Sequence, residues 1–509
     1  MSTRVDRKIV EAAKLAFPTQ NQAVTLGAVI YGQACDPEPI INVPLSMMNR
    51  HGLIAGATGT GKTKTLQLMT EQLSAAGVPV FLADLKGDLS GLAVQGDQND
   101  RITQRAKDTG YAWTATACPV EYLSLTGARG AQLRATVSSF GPLLLSKVLG
   151  LNDTQTSVLS LVFKYCDDRQ LPLLDFSDLR AVLQYLTDEG QPELRDYGGL
   201  SVSTVGVLLR DMVQLEQQGA QAFFGEPEFS LGDLIQQRNG RGLVSVLELQ
   251  DVQDRPNLFS TFMLWMLARL YHDLPEVGDL DKPKLVFFFD EAHLLFENAS
   301  KAFLDEIEQV ARLIRSKAVG IFFVTQNPKD VPPTILGQLG HRVEHALRAF
   351  TPDDEKALRA AANTFPKTPF YDIQETLTTL GIGEALVTVL SSNGVPTPPF
   401  ATRLIPPATR MGPLTDSEFA QFLSSSAQVK EYAQPVDRDS AREMLAKRMG
   451  QASPEQVTAE QAMRGSRPPP STMEQILRSP TTKAVATTVA RGLLGALIGP
   501  PPRRRSSYF

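Results

Sequence analysis

At 509 residues, 42% hydrophobic and 21% charged, the chain has the make-up of a water-soluble globular protein, with length for one large domain or two to three smaller ones. A formal net charge of -5 excludes a surface that is basic all over, while leaving room for a local basic stripe or channel. Three scattered cysteines, Cys35, Cys118 and Cys166, offer neither a disulfide framework nor a zinc knuckle and fit a reducing compartment.

Met1 to Gln20 carries Val5, Ile9, Ala13 and Phe17 at helical spacing among basic residues, so it reads as an amphipathic helix rather than a leader peptide. No stretch reaches the roughly 18 apolar residues of a membrane span, so a cytoplasmic chain without stable membrane insertion is expected. Apolar runs then alternate with helical patterns from about residue 50 to residue 390. The runs are His51–Ala55, Val78–Ala83, Leu243–Leu249, Leu285–Phe289, Ile321–Thr325, Val343–Leu347 and Ala385–Leu390. Most are continuous rather than alternating, as in strands buried on both faces of a parallel sheet, and the rhythm predicts an open α/β architecture.

The first run leads into Gly56-Ala57-Thr58-Gly59-Thr60-Gly61-Lys62-Thr63, which fits G-x-x-x-x-G-K-[ST], and Lys64 continues into a helix with Leu66, Met69 and Leu73 on one face. Glycines there let successive backbone N–H groups and a helix N-terminus close on a triphosphate. Lys62 is suited to the β- and γ-phosphates of ATP, and Thr63 to a magnesium ion. The second run ends in Asp84-Leu85-Lys86-Gly87-Asp88, equally consistent with a nucleotide or subunit contact and with an ordinary loop. Helical periodicity dominates from about Leu133 to Arg238, which reads as an insertion between early and late strands.

Leu285–Phe289 ends in Asp290 and Glu291, at the edge where a parallel sheet presents ligand-binding residues. Asp290 suits the outer coordination of magnesium and Glu291 a general base for the attacking water. Ile321–Thr325 ends in Gln326, a neutral group able to sense a γ-phosphate or hold that water. Arg312, Arg315 and Lys317 precede this strand, and Arg342 and Arg348 flank the next; Arg348 first and Arg315 second are candidates for an arginine finger acting on a neighbour's γ-phosphate. His341-Arg-Val-Glu344-His345 matches H-x-x-E-H, but the alternation of Val343, His345 and Leu347 predicts a strand, which splays zinc ligands apart. Beyond Leu404 the composition shifts at Pro406-Pro407 and Pro468–Pro470. A helical, polar stretch covers Ser417 to Met463, and a small-residue run, Ala484 to Gly499, precedes Arg503–Arg505. That run reads as a docked or disordered tail, or as a membrane or partner helix with a basic anchor.

Together the phosphate-loop motif, D-L-K-G-D, F-F-F-D-E-A-H, V-T-Q-N-P and L-R-A-F-T-P-D-D resemble the HerA/FtsK branch of P-loop ATPases, over about residues 45 to 400. The likeness extends to the HerA-like bacterial proteins of the YjgR type, which share F-G-P-L-L-L-S-K-V-L-G-L at Phe140–Leu151. The resemblance implies a RecA-like core with an additional strand between the phosphate-loop strand and the Asp290-Glu291 strand. It also implies a homo-oligomeric ring, usually of six, with ATP at subunit interfaces, and a motor on double-stranded DNA. A regulatory or assembly ATPase and a motor for another polymer, such as polypeptide, are the alternatives. HerA carries an N-terminal β-barrel, whereas about fifty residues precede the loop here, so a HerA-type nuclease partner is not expected. The expected organisation is an N-terminal helix and short β segment over 1–45, a core over 46–404 with its insertion at about 133–238, and a tail over 405–509.

Overall fold

The computed structural model describes residues 5–19, 22–32, 34–297, 301–436 and 438–451. The strands are β1 (Ala23–Tyr31), β2 (Ala34–Pro44), β3 (Gly52–Ala55), β4 (Val80–Asp84), β5 (Val120–Ser124), β6 (Ala131–Gln132), β7 (Gln237–Arg238), β8 (Arg241–Gly242), β9 (Val244–Glu248), β10 (Leu285–Phe289), β11 (Val319–Thr325), β12 (His341–His345), β13 (Glu384–Thr388) and β14 (Phe400–Leu404). All but the β7–β8 hairpin join one sheet, in the order β2-β1-β14-β13-β12-β3-β11-β10-β4-β9-β5-β6.

From β12 to β6 every neighbour is parallel, and from β2 to β12 every neighbour is antiparallel. Each of the seven apolar runs forms a strand, and β11 is the additional strand between β3 and β10. Ala385–Leu390 differs from the others in giving an antiparallel strand, β13. The β1–β2 pair also joins this sheet, through β14.

Unbroken apolar runs suit this sheet because both faces are covered. On one face Phe81, Phe287, Phe289 and Phe323 pack together with Phe262 and Leu267 of the Pro256–Asp273 helix. On the other, Leu82, Val286, Phe288 and Phe322 share a core with Leu66, Met69 and Leu73 of the Lys62–Ala75 helix. Phe81 and Phe287 have ring centroids 5.1 Å apart, as do Phe288 and Phe322.

The predicted N-terminal helix is Arg7–Ala16, with Ile9, Val10 and Ala13 buried against β-sheet residues such as Val24 and Ile41. The insertion carries the helices Val137–Val148, Asp153–Arg169, Phe176–Thr187 and Val202–Gln217; Gly141, at φ +73°, breaks the first of them. After β14 the chain returns across the Lys62–Ala75 helix. The buried Glu71 carboxylate accepts from Ala408 N and Thr409 N, and Gln67 donates to Thr409 Oγ1 at 2.7 Å. The segment beyond runs along the insertion. Phe419 packs on Tyr122, Arg134 donates to Tyr432 O, Tyr432 donates to Asp233, and Arg438 grips Glu226 with two hydrogen bonds. The chain divides into two compact units, Met1–Leu445 and Ala446–Phe509; the tail expectations beyond residue 451, Ala484–Gly499 and Arg503–Arg505 included, lie outside the described residues.

One buried acid stands out on β12. Glu344 faces Ala55 and Leu386 in register, is fully buried, and neither carboxyl oxygen has a hydrogen-bond partner. Burial pushes its carboxyl up to about 8, against a smaller opposing pull from Arg342. The folded chain therefore holds a proton that the unfolded chain releases near 4.5, and this contribution is lost as pH rises from about 4.5 through 8. Glu344→Gln should match the parent's thermal stability near pH 4.5 and exceed it increasingly up to pH 8, by as much as about 1.4 kcal/mol per pH unit. Melting curves across that range test this; a stability difference independent of pH contradicts it.

Candidate functional site

β3 ends at Ala55, and Gly56–Gly61 turns back into the N-terminus of the Lys62–Ala75 helix. Gly56 and Gly61 have φ of +149° and +119°, values that L side chains rarely adopt. A Cβ on Gly56 would lie 2.5 Å from the Cβ of His345, which packs beneath the loop. The His345 ring shares a 2.8 Å hydrogen bond with Thr65 Oγ1. Burial, reinforced by Lys62, lowers the ring to about 4 and keeps it neutral at ordinary pH. Ala57 N donates to Ala346 O, and Gly383 N to Thr60 O, both at 2.9 Å, so the neighbouring strands clamp the loop at two points. His341 lies at the far end of the same strand and bonds Met47 O at 2.7 Å. The H-x-x-E-H spacing thus supplies a prop under the loop, a buried acid and a core histidine.

Lys62 is mostly buried and donates to Gly56 O at 2.7 Å and Ala57 O at 3.2 Å. Burial lowers its ammonium, while Glu291 and Asp290 pull it back up, so these three charges share one field. Asp290 is buried; one carboxyl oxygen accepts from Glu291 N at 3.0 Å and the other has no partner. Burial and the adjacent Glu291 push it up to about 7. An orphaned carboxyl oxygen that resists ionising alone is what a divalent cation would satisfy, and Thr63, one residue into the helix, supplies a hydroxyl of the right class.

Glu291 has φ +49°, a strained conformation outside glycine, and is buried. Burial alone would raise its carboxyl; the bonded Lys86 ammonium, with His293 and the Gln326 amide, outweighs burial and holds it below the ordinary range. Lys86 comes from Asp84–Asp88. The buried Asp84 carboxylate accepts from the backbone N–H groups of Lys86, Gly87 and Leu89, which fixes the loop. The sequence left this loop undecided, and the Lys86–Glu291 pair is the contact it did not reveal: the partners are 205 residues apart.

Gln326 is exposed at the end of β11 and lines a cavity of about 960 Å³ with Ala57, Thr58, His293, Phe350 and Arg348. Arg348 donates to Thr378 O at 3.0 Å. Arg315 lies elsewhere, in the short turn before β11, where it lines a cavity of about 640 Å³ with Arg50, Arg312 and Arg342. Seven residues of β11 at about 3.3 Å each put roughly 20 Å between that turn and Gln326, beyond the reach of an arginine side chain. Lys64 and Thr65 border a third, more apolar cavity on the other side of the loop.

The family described as Helicase HerA-like C-terminal matches residues 32–505. A 154-residue stretch is 29% identical to a probable helicase, MJECL08, of Methanocaldococcus jannaschii, covering 28% of each chain. Over 369 residues the chain is 20% identical to the DNA double-strand break repair helicase HerA of Sulfurisphaera tokodaii, covering 71% of this chain and 66% of that one. The chain thus spans less than two thirds of the length of each of these two relatives. Among solved structures, the bacterial conjugative coupling protein TrwB superposes with a TM-score of 0.50 at 15% identity, over 79% of this chain and 94% of that one. TrwB in complex with ADP and Mg2+ gives the same score at 14% identity, over 80% of this chain and 95% of that one. At that identity the likeness shows the fold, a RecA-like P-loop ATPase core. The match over residues 32–505 shows the family as well: the chain belongs to the family described as Helicase HerA-like C-terminal, among the P-loop ATPases.

Proposed function

We propose that this protein is a magnesium-dependent ATP hydrolase working as a ring-shaped motor on double-stranded DNA in the cytoplasm. The observation that carries the hydrolase reading is that the Gly56–Thr63 loop, Asp290 with its unpartnered carboxyl oxygen, and Glu291 held by Lys86 all follow the ends of parallel strands on one side of the sheet. In this reading Gly56–Thr63 and Lys64 cradle the phosphates through backbone N–H groups, and Lys62 leaves the Gly56 and Ala57 carbonyls for the β- and γ-oxygens. Thr63 and Asp290 would hold Mg2+, which would neutralise charge on the phosphates. Glu291, kept ionised and oriented by Lys86, takes the proton of the attacking water, and Gln326 holds that water in line.

The ring reading rests on the two arginine positions. Arg348 lines the cavity beside its own loop, so it suits its own subunit's site. Arg315 sits at the opposite end of the strands, where only a neighbouring protomer's triphosphate could meet it. The trans role, for which the sequence ranked Arg348 first, therefore passes to Arg315. A head-to-tail contact joining opposite ends of the core closes into a ring when the rotation per subunit allows, and six is the number the family resemblance suggests. The organisation proposed with it is an N-terminal segment over 1–45, an ATPase core over 46–404 and a tail over 405–509. Double-stranded DNA is supported by the name of one relative, a DNA double-strand break repair helicase.

Lys62→Ala should abolish ATP binding, whereas Glu291→Gln should bind ATP and turn over at least about a hundredfold slower. Equilibrium binding with single-turnover hydrolysis separates the two, and normal hydrolysis by Glu291→Gln rules out its role as base.

Arg315→Ala should bind ATP normally yet lose on the order of a thousandfold in turnover. Mixing it with inactive Lys62→Ala should restore activity at intermediate ratios, because some interfaces then pair an intact Arg315 with an intact Lys62. Flat inactivity at every ratio, with mixed rings demonstrated, contradicts action in trans.

On the DNA reading, duplex DNA should raise ATP turnover, and the stimulation should fall steeply between 50 and 200 mM salt, as phosphate contacts do. Turnover indifferent to DNA at low salt contradicts a DNA motor while leaving the hydrolase intact.

A further inference from the structure

The loop after β12 holds a phenylalanine out in water. Phe350 is 89% exposed, the highest value of any large apolar side chain among the described residues. Its backbone is pinned on both sides. Leu347 N donates to Leu377 O at 2.9 Å and Arg348 to Thr378 O at 3.0 Å, and the N–H groups of Phe350 and Thr351 both donate to Asp354. Thr351 and Asp354 form the capping box of the Pro352–Ala362 helix, whose first turn carries Asp353, Asp354 and Glu355. Asp353 and Glu355 pair with Lys356 and Arg359 on the same helix, exposed contacts that contribute little. A bare ring and an acidic turn thus stand together on a fixed backbone, beside the cavity that Gln326 borders. Lys329 and Arg348 border it too; Arg348 is spent on Thr378 O, and Lys329 lies in the field of Asp354.

Complementary chemistry lines the cavity of about 640 Å³ at the other end of the strands. Arg50, Arg312, Arg315 and Arg342 surround it, and no acidic side chain among the described residues joins them. Arg50 pairs with Asp279, Arg312 with Glu308, and Arg342 bonds Thr364, while the Arg315 guanidinium has no partner among the described residues. Leu339, Pro366, Leu390 and Pro396 supply apolar surface in the same cavity, and guanidinium groups favour an aromatic face. Resting on the ring reading above, we propose that Phe350–Glu355 of one subunit docks in this arginine-lined cavity of the next. Phe350 is the anchor, and Asp353 and Glu355 face the arginines. Phe350 and Gln326 border one cavity and Arg315 the other, so this docking brings the partner subunit's Arg315 to the side on which the terminal phosphate lies. One contact therefore both holds the ring and completes the site.

Sedimentation velocity of the full chain with Mg2+ and a non-hydrolysable ATP analogue reads the contact. The parent should sediment as a closed oligomer, and Phe350→Ser should raise the protomer concentration needed for assembly at least about tenfold, as expected for losing an anchor. The double variant Asp353→Lys, Glu355→Lys should do the same by setting lysine against arginine. Phe350 is exposed, so the fold should survive, and retained ADP binding verifies that. Position is read separately, with a short bismaleimide on the double variant Gln338→Cys, Ala349→Cys. Both native residues are exposed, Ala349 next to Phe350 and Gln338 on the arginine-lined cavity. The reagent should link different chains into a ladder on a denaturing gel, whereas the two single variants, which report any link through Cys35, should not ladder. Assembly of Phe350→Ser at the parent's concentration overturns the docking, as does a demonstrated ring whose chains stay unlinked. Normal assembly of Phe350→Ser with weakened ADP binding makes Phe350 a nucleotide contact and overturns it equally. If assembly and ADP binding are lost together, the linking experiment, which keeps Phe350, decides. A parent that stays monomeric at every concentration refutes the ring reading itself.

Discussion

The site depends on one close approach: the loop at Gly56 lies so near His345 that no side chain fits between them. That contact sets the height of the loop above β12, and the His345–Thr65 bond ties the first turn of the following helix to the same prop. A neutral imidazole suits the position. A protonated ring there would add a second positive charge beside Lys62, and burial holds the ring neutral. The same helix is held from its other side by Glu71 and Gln67 on the returning Ala408–Arg410 segment. Loop and helix are therefore tied to the sheet and to the returning segment, and the loop's backbone is held in place by these contacts.

Charge at the site follows from where the strands end. β4 and β9 finish in Asp84 and Glu248, and Asp290 follows β10; all three are buried, and burial raises each carboxyl. Three acids so close would repel if all were ionised. Asp84 is accommodated by three backbone N–H donors, whereas Glu248, bonded to Arg129 through one oxygen, and Asp290, bonded to Glu291 N through one oxygen, each keep a second carboxyl oxygen without a hydrogen-bond partner. A divalent cation beside the open oxygen of Asp290 would favour its ionised form. Lys86 performs the complementary task for Glu291, keeping a buried carboxylate ionised beside a second acid.

The parallel core was legible because its strands are buried on both faces, which forces continuous apolar runs such as Leu285–Phe289, and because the loop's spacing admits few other chemistries. The β1–β2 pair was read only as a short segment. β2 runs Ala-Cys-Asp-Pro-Glu-Pro before its apolar end, with two prolines and exposed positions that suit a sheet edge and hide a strand. β13 was legible as a strand but not in direction, since burial pattern carries no sign of chain sense. In the site, Asp290, Glu291 and Gln326 follow from strand ends. The Lys86 bridge, the His345 prop and the separation of Arg315 from Arg348 depend on which strands become neighbours, information that no local pattern holds.

That separation gives the account its central claim: each site is completed from two directions, by its own loop and by the far end of a neighbouring core. The most direct measurement is a cryo-electron microscopy reconstruction with Mg2+ and a non-hydrolysable ATP analogue. The account predicts a closed ring with the triphosphate along Gly56–Thr63, its terminal phosphate toward Glu291 and Gln326, and the partner subunit's Arg315 within hydrogen-bond distance of it. Nucleotide bound away from the loop, or protomers joined through faces that leave Arg315 in solvent, would contradict it.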